Sequence, residues 1–235
     1  MKYTYYLKRF WPLYLFTGII VIAAVFGTSE AVTTIAQNTP IPRNHLLIID
    51  PGHGGEDGGA ISCTGVLESQ LNLQISLRLN DLLHLLGYET KMVRSSDISI
   101  YTEGISISQK KASDLRNRVK IVNETENAIL ISIHQNTFPE EKYSGAQVFY
   151  NHVGMAQDLA KQIQSAFIET VNPDSHRQSK AATGIFMMEH IRNPGILIEC
   201  GFLSNREEEA MLCSEDYQKQ LCCVIASALS CYLSA

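Results

Sequence analysis

The sequence predicts a single α/β domain with a mostly parallel or mixed twisted sheet and helices on both faces. Short apolar runs of strand length alternate along the chain with helical periodicities, and strands that alternate with helices form sheets covered on both sides. The chain has 235 residues, of which 45% are hydrophobic and 18% charged. This length and composition suit one well-buried domain and exclude a disordered chain.

The first part of the chain, residues 1–27, predicts export or membrane anchoring. Lys2, Lys8 and Arg9 precede a mostly apolar run without a charge, which as a helix would span roughly 27 Å, the thickness of a hydrocarbon core. A basic flank before such a run is typical of a signal peptide or an anchor. Cleaved signal and uncleaved anchor both stay open. Residues 28–44 predict a polar linker to a domain at 45–235.

The first half of that domain alternates strand and helix. The apolar run LLIID at 46–50 predicts a buried strand that ends in a glycine-rich turn. Leucines at helical spacing predict a helix at 68–86, and Gly87 fits the position just past its end. A second strand follows at 88–94, and a second helix at 113–124 has its apolar residues on one face.

The second half contains four strands and three helices by the same criteria. Runs such as AILISI and ILIEC are short, apolar and rich in branched residues, which is typical of buried strands. The predicted strands are 128–133, 147–150, 185–188 and 196–200. The predicted helices are 155–170, about 205–212 and 216–233. We find no internal repeat and no appended binding module.

The charge of the chain argues against one class of partner. The formal net charge is −5, and no block of Lys and Arg occurs. Proteins that bind nucleic acid gain affinity by neutralising phosphates with basic residues. The sequence therefore predicts no nucleic-acid partner.

Polar side chains follow three of the predicted strands. His53 lies in the glycine-rich turn after the first strand, His134 directly follows AILISI, and Glu199 ends ILIEC. Glu68 opens the first helix. Ligands of open α/β sheets bind beyond the carboxyl ends of the strands, so we expect these four side chains to meet. Two histidines and a carboxylate are the ligand set of zinc hydrolases that keep one position open for water.

Each of these residues also has a plainer interpretation. A single histidine after a strand is usually only hydrogen-bonded, and Glu68 alone suits a helix N-terminus. Glu199, behind three apolar residues, is the hardest to explain that way. The loop at 52–59 (GHGGEDGG) lacks the ending of a phosphate-binding loop and the spacing of a calcium loop. Together the four positions favour a metal site.

Four ordered motifs resemble a known family. IDPGHGGEDGGA at 49–60, the following Glu68, SIHQN at 132–136 and IECGFLSN at 198–205 are similar to the motifs of zinc-dependent N-acetylmuramoyl-L-alanine amidases of the amidase-3 family. The resemblance covers about residues 46–234. The segments KKASDLRNRVKIVN at 110–123 and SGAQVFY at 144–150, together with the N-terminal apolar segment and the absence of wall-binding repeats, further resemble the CwlD-type amidases of spore-forming bacteria. Those enzymes act on cortex peptidoglycan before muramic-δ-lactam forms.

The resemblance implies a role for each matching residue. His53, Glu68 and His134 match the ligands of one zinc ion, and Glu199 matches the catalytic glutamate. The substrate would be peptidoglycan, cut at the amide between the muramic lactyl group and L-alanine. The chain lacks the regulatory insertion of division amidases, which implies an open cleft or control by an accessory protein. The location implied is the cell envelope, exported or held at the membrane by residues 1–27.

Substrate contacts are predicted from chemistry alone. Asn136, two residues beyond a predicted ligand, suits hydrogen bonding to substrate or to a ligand. Arg94, with Arg116 and Arg118 as further candidates, suits the carboxylates of a stem peptide, because guanidinium binds carboxylate in a bidentate way.

Two other functions compete with the amidase. A catalytically silent wall-binding protein could have kept the same pocket. A zinc carboxypeptidase would cut within the stem peptide and release a different fragment. Cysteine catalysis by Cys200 is disfavoured, because neighbouring strand residues point to opposite faces.

Overall fold

A six-stranded mixed sheet forms the centre of the protein, for which a computed structural model describes residues 45–234. The strands are β1 Leu46–Pro51, β2 Thr90–Met92, β3 Ala128–Asn136, β4 Gln147–Tyr150, β5 Lys180–Ala181 and β6 Gly195–Phe202. Their spatial order is β2-β1-β3-β6-β4-β5. Only the β4–β6 pair in this sheet is antiparallel.

Six helices within the described residues cover the sheet. They are α1 Glu68–Leu85, α2 Ile107–Asn123, α3 Ala156–Thr170, α4 Phe186–His190, α5 Arg206–Leu212 and α6 Glu215–Leu233. The apolar residues of α1, α3 and α6 pack on one face, and those of α2 and α4 pack on the other. The predicted α/β domain with helices on both faces is confirmed.

Alternating side chains of the central strands supply both apolar layers. Ile129, Ile131 and Ile133 of β3 join the layer under α1, α3 and α6, whereas Leu130 joins Ile48 of β1 under α2 and α4. Successive residues of a strand point to opposite faces. A strand buried on both sides is therefore apolar at nearly every position, which explains the continuous runs in the sequence.

The predicted strand at 185–188 is wrong, since this segment leads into helix α4. The backbone N–H of Gly184 donates to Glu189 Oε1 at 2.6 Å. The ring of His190 stacks on that of Phe186 at 4.0 Å, and its Nδ1 lies 2.7 Å from the Phe186 carbonyl oxygen. These local bonds favour a helical turn. An apolar run of four residues cannot by itself distinguish a buried strand from a buried turn of helix.

Other boundaries also differ from the prediction. Helix α2 begins at Ile107 instead of 113, because Ser106 and Gln109 form a capping box, in which each side chain binds the other residue's backbone N–H. Strand β2 is confined to three residues of the predicted 88–94. Strand β5 was not predicted, since two residues are too few to show a pattern.

The predictions for the N-terminus fall on residues that the structure does not describe. Both the signal or anchor segment at 1–27 and the linker at 28–44 lie outside the described range. Among residues 45–234, none of the helices combines the length and the apolar character that crossing a membrane requires.

A buried ion-pair network fastens strand β1 to helix α2. Arg118 donates from Nη1 to Asp50 and from Nε to Asp114, and its side chain is only 3% exposed. Ser132 Oγ donates to Asp50 Oδ2 at 2.7 Å. Burial alone would raise the pKa of Asp50, but the Arg118 charge and the Ser132 hydrogen bond outweigh it and hold that pKa below its ordinary value.

We expect Asp50→Asn to destabilise the protein at neutral pH by about 3 kcal/mol, because Arg118 would lose a buried partner. A lowered pKa stabilises the fold above the ordinary value of 3.8, and this stabilisation disappears as the pH falls through the folded-state pKa. The variant should therefore lose stability less steeply than wild type below about pH 4. Urea unfolding from pH 7 to pH 3 measures both effects.

Asp158→Asn serves as the control, because Asp158 is 68% exposed and pairs only with exposed Lys161. Such a surface pair contributes about 0.5 kcal/mol or less. Equal unfolding curves for the two variants would contradict the proposal that the buried network contributes more to the free energy of unfolding than the surface pair does.

Candidate metal centre

The candidate site lies at the carboxyl edge of the sheet, on the face that α2 and α4 cover. His134 of β3 pairs in register with Glu199 of β6. Both side chains point to the same face as Asp50 of β1, as the two apolar layers require. The next strand, β4, places Gln147 opposite Glu199. Parallel strands thus bring residues distant in sequence to one edge.

Three predicted ligands meet at this edge. His53 Nε2 lies 3.2 Å from Glu68 Oε2, and His134 Nδ1 lies 2.9 Å from Glu68 Oε1. One donor atom from each of His53, Glu68 and His134 lies within 4.8 Å of the others. The two imidazole rings are 5.1 Å apart in an edge-to-face arrangement. The structure therefore brings together the N, O, N set that the sequence predicted.

The loop after β1 gives His53 its position. His53 adopts a left-handed conformation, with φ of 60°, which is costly for a residue with a side chain and is held only by its surroundings. Gly52 leaves room for the other histidine, since a Cβ there would lie 2.3 Å from His134 Nε2. The glycines of the loop thus allow a sharp turn and the close approach of two imidazoles.

Two buried arginines hold this turn through its carbonyl groups. Arg94 donates to the carbonyl oxygens of Pro51 and Gly52 at 2.9 and 3.0 Å. Arg118 donates to those of Pro51 and His53 at 2.9 and 2.7 Å. Three successive carbonyls accept hydrogen bonds from the two guanidinium groups, and that of Gly52 also accepts from Asn72 Nδ2 at 3.2 Å. The arginines therefore stabilise the left-handed turn that presents His53.

Hydrogen bonds fix the orientation of two of the three predicted ligands, His53 and Glu68. His53 Nδ1 lies 2.8 Å from Asp57 Oδ2, so a proton on Nδ1 leaves Nε2 free as a donor to a metal. Glu68 accepts hydrogen bonds from the backbone N–H of Ala60 at 2.9 Å and from Asn72 Nδ2 at 3.2 Å. A third comes from the backbone N–H of Gln135 at 3.2 Å.

The electrostatics of the triad favour a cation. Burial alone would lower the pKa of His53, but hydrogen bonds to Asp57 and Glu68 outweigh it and raise that pKa to about 9. Burial would raise the pKa of Glu68, yet its contacts with His134 and His53 hold it well below the ordinary value. At neutral pH His53 is therefore protonated while Glu68 is ionised, so a metal bound between them would displace the His53 proton.

Glu199 stands beside the triad with an unused oxygen. Its Oε2 is buried and has no hydrogen-bond partner among residues 45–234. Burial, together with the nearby Glu68 charge, raises the pKa of Glu199 to about 7. A buried carboxylate without a partner is costly. An ion held by the three ligands would relieve this cost, so the residues fit a metal with Glu199 facing it.

The predicted substrate contacts have different surroundings. Asn136 ends β3 at the same edge, and its Oδ1 accepts from the backbone N–H of Thr137 at 2.8 Å. Arg94 is only 3% exposed and also donates to the carbonyls of Ser69 and Ser96. Its guanidinium is thus occupied by the main chain, and we assign it to positioning the His53 turn instead of binding substrate.

The two further arginine candidates are also engaged. Arg118 belongs to the buried network described above. Arg116 is exposed and pairs with Glu103 at 2.7 Å. Neither Arg116 nor Arg118 is among the residues that approach the Glu68 carboxylate, and we propose no substrate contact for them.

Sequence reasoning missed Asp57 and Asn72, the residues that orient the ligands. Asp57 lies four residues after His53, and Asn72 lies four residues after Glu68, one helical turn along α1. The second spacing places two side chains on one helix face and could have been recognised. His53 and Asp57 lie in a loop, where the spacing of two residues in the sequence does not determine whether their side chains are in contact.

We expect Asp57→Asn to weaken zinc binding by about 10- to 100-fold, because residues that orient a ligating histidine have effects of this size. Asparagine keeps an acceptor oxygen but loses the charge that supports His53. Competition with a chromogenic chelator measures the affinity. The control is Asp81→Asn, an exposed change on α1, and a zinc affinity equal for the two variants would contradict the assigned role of Asp57.

The comparisons with known proteins agree on one family. The family model Amidase_3, described as N-acetylmuramoyl-L-alanine amidase, matches residues 47–231. The germination-specific N-acetylmuramoyl-L-alanine amidase of Bacillus subtilis is 39% identical over 178 residues, covering 75% of this chain and 74% of that protein.

Two solved structures are similar over most of the chain. The CwlD amidase from Clostridioides difficile, in complex with the GerS lipoprotein, has a TM-score of 0.77 and 35% identity, covering 80% of this chain and 98% of that chain. An N-acetylmuramoyl-L-alanine amidase from Clostridium difficile 630 has a TM-score of 0.70 and 29% identity, covering 82% and 98%.

Proposed function

The chain belongs to the Amidase_3 family of N-acetylmuramoyl-L-alanine amidases, and from this premise we propose a zinc-dependent reaction on peptidoglycan. The bond hydrolysed is the amide between the lactyl group of N-acetylmuramic acid and the L-alanine of the stem peptide. The observation that carries the proposal is the convergence of His53, Glu68 and His134 with Glu199 alongside them. This set combines a metal site with a general base.

In this proposal each ligand offers one atom to the ion. His53 Nε2, the Glu68 carboxylate and His134 Nδ1 would hold it, with Asp57 fixing the His53 tautomer. When bound, zinc would polarise the amide carbonyl and favour deprotonation of a water molecule beside it. Three protein ligands leave one coordination position open, which a catalytic zinc site requires.

Glu199 moves the proton. Its unpartnered Oε2 accepts a proton from the attacking water, and the protonated carboxyl then donates it to the nitrogen of the departing L-alanine. An amine leaves only after protonation, so one carboxyl group serves as base and then as acid.

We propose the spore cortex as the site of action and residues 1–27 as the signal or anchor that brings the enzyme there. The support is the similarity to a germination-specific amidase and to a CwlD amidase. The latter was solved in complex with a lipoprotein, which supports an accessory protein for this chain as well. Removal of the stem peptide would precede formation of muramic-δ-lactam.

Mass spectrometry of digested peptidoglycan, with and without a chelator, tests the proposal. We expect released peptides that begin with free L-alanine, and we expect them to vanish when the metal is removed. Release of an amino acid from the carboxyl end of the stem would identify a carboxypeptidase. Binding to peptidoglycan without release of any fragment would identify a silent wall-binding protein, and either result would refute the amidase reaction.

A further inference from the structure

A cleft lies beside strand β4, which is the neighbour of the strand that carries Glu199. It has a volume of about 940 Å³ and is lined by residues of the β3–β4 loop, the segment before β5 and helix α5. Gln147, which pairs with Glu199 across β4 and β6, forms its inner wall. The cleft is large enough for a peptide of a few residues.

Arg177 is held in this cleft in a fixed orientation. Its Nε donates to the carbonyl oxygen of Ser144 at 2.9 Å, and its Nη1 donates to Gln147 Oε1 at 3.1 Å. Its guanidinium carbon lies 4.8 Å from the centre of the Phe202 ring. Two hydrogen bonds and an aromatic contact therefore order a side chain that would otherwise lose entropy on binding a ligand.

Part of this guanidinium has no partner in the protein. Within residues 45–234, no acceptor lies within hydrogen-bond distance of Nη2, and no carboxylate lies within 4.0 Å of Arg177. Glu208 is nearby, but its two oxygens accept from the backbone N–H groups of Gly145 and Phe202, both at 2.8 Å. Arg177 thus presents an ordered charge with free donors to the cleft.

The chemistry of such a group selects a carboxylate, because guanidinium donors match the two oxygens of that anion. We infer that Arg177 binds a carboxylate of the stem peptide and that the peptide arm of the substrate lies over β4 and β5. The inference rests on the proposed function, which supplies a substrate with one anionic arm. The sugar arm carries no carboxylate once its lactyl group is joined in the amide.

This assignment fixes the direction in which the substrate lies across the site. Gln147 contacts Arg177 and pairs with Glu199, so only one strand separates the carboxylate-binding group from the general base. An extended peptide advances about 3.5 Å per residue. We therefore assign the carboxylate to the residue after L-alanine, and the glycan arm extends away from β4 and β5.

Binding of a dipeptide product tests the inference independently of catalysis. The probes are L-alanyl-D-glutamine, whose only carboxylate is the α-carboxylate, and its α-carboxamide, titrated calorimetrically against the full zinc-loaded chain. We expect wild type to bind the acid about tenfold or more tightly than the amide. Arg177→Gln should bind both equally weakly, and Arg177→Lys should keep part of the preference because it keeps the charge but not the planar fork.

Arg192→Gln is the matched control, since Arg192 is exposed on the turn before β6. A wild type that does not distinguish the two dipeptides, or an Arg177→Gln variant that keeps the preference, would overturn the inference. The same two dipeptides joined to muramic acid serve as substrates for kinetics. For Arg177→Gln, KM should rise for the substrate with the free α-carboxylate, and kcat should stay within about threefold of the wild-type value. Equal losses of kcat on both muramyl substrates would instead indicate that Arg177 has only a structural role. Failure of the amidase reaction itself would appear as no cleavage by wild type, while the binding results still stand.

Discussion

Glu199→Gln is expected to lower kcat for release of the stem peptide by about 10²- to 10⁴-fold, the usual contribution of a general acid–base group. The substitution preserves the shape of the side chain and its place opposite His134. A carboxamide cannot accept the proton of the attacking water or deliver it to the leaving nitrogen. Zinc should still bind, because the three ligands are untouched, but its affinity should fall by up to about tenfold because the variant lacks the negative charge that faces the ion. Peptide release and zinc content, measured on the same preparation, check both parts.

The control for this prediction is Glu169→Gln, which removes one negative charge from the exposed end of α3. It should leave kcat and zinc content unchanged. A Glu199→Gln variant that binds zinc and still releases peptide at the wild-type rate would exclude Glu199 as the base. Loss of zinc together with activity would instead place Glu199 among the residues that stabilise the bound ion.

Gly59→Ala is expected to weaken zinc binding by about 100-fold or more and to remove the amidase activity with it. A Cβ at this position would lie 2.5 Å from Glu68 Oε2 and 2.8 Å from His53 Cδ2. Either both ligands move or the backbone does, and neither preserves the spacing of the donor atoms. Gly59 also has a φ of 69°, a conformation that costs about 1 kcal/mol for alanine. Zinc titration against a chelator measures the loss.

Gly65→Ala separates the two causes. Gly65 has a φ of 92°, but a Cβ there would have no atom within 4 Å. Backbone strain should therefore lower the free energy of unfolding of this variant about as much as it does for Gly59→Ala. Its zinc affinity should equal that of the wild type. Equal zinc affinities for the two variants would show that the clash with Glu68 and His53 is not what Gly59 avoids.

The sequence predicted the ligands of the candidate site better than the residues around them. His53, His134 and Glu199 each follow or end an apolar run, and the edge of a parallel sheet is the place where such residues meet. Arg94 was expected to contact substrate because guanidinium binds carboxylate, yet the structure buries it against four carbonyl groups. An arginine's chemistry is the same in both settings, and only its surroundings decide which acceptor it finds.

Arg177 shows the same limit in the opposite direction. Nothing in its sequence context, between His176 and Gln178, indicates a site. Its position depends on Ser144 and Gln147 from one segment and on Phe202 from another. Contacts between residues so far apart in the chain leave no periodic signal in a single sequence, so they could not be predicted from it.

The sequence by itself determined the α/β class, the order of the main strands and helices, and the family motifs that carry the candidate metal ligands. These follow from local patterns, because burial on both faces makes a strand continuously apolar and burial on one face makes a helix periodic. Tertiary structure alone decided that two arginines hold the turn of His53 and that the guanidinium of Arg177 faces the cleft beside β4. Such outcomes depend on which distant segments share a hydrogen bond, and that is settled only when the chain packs.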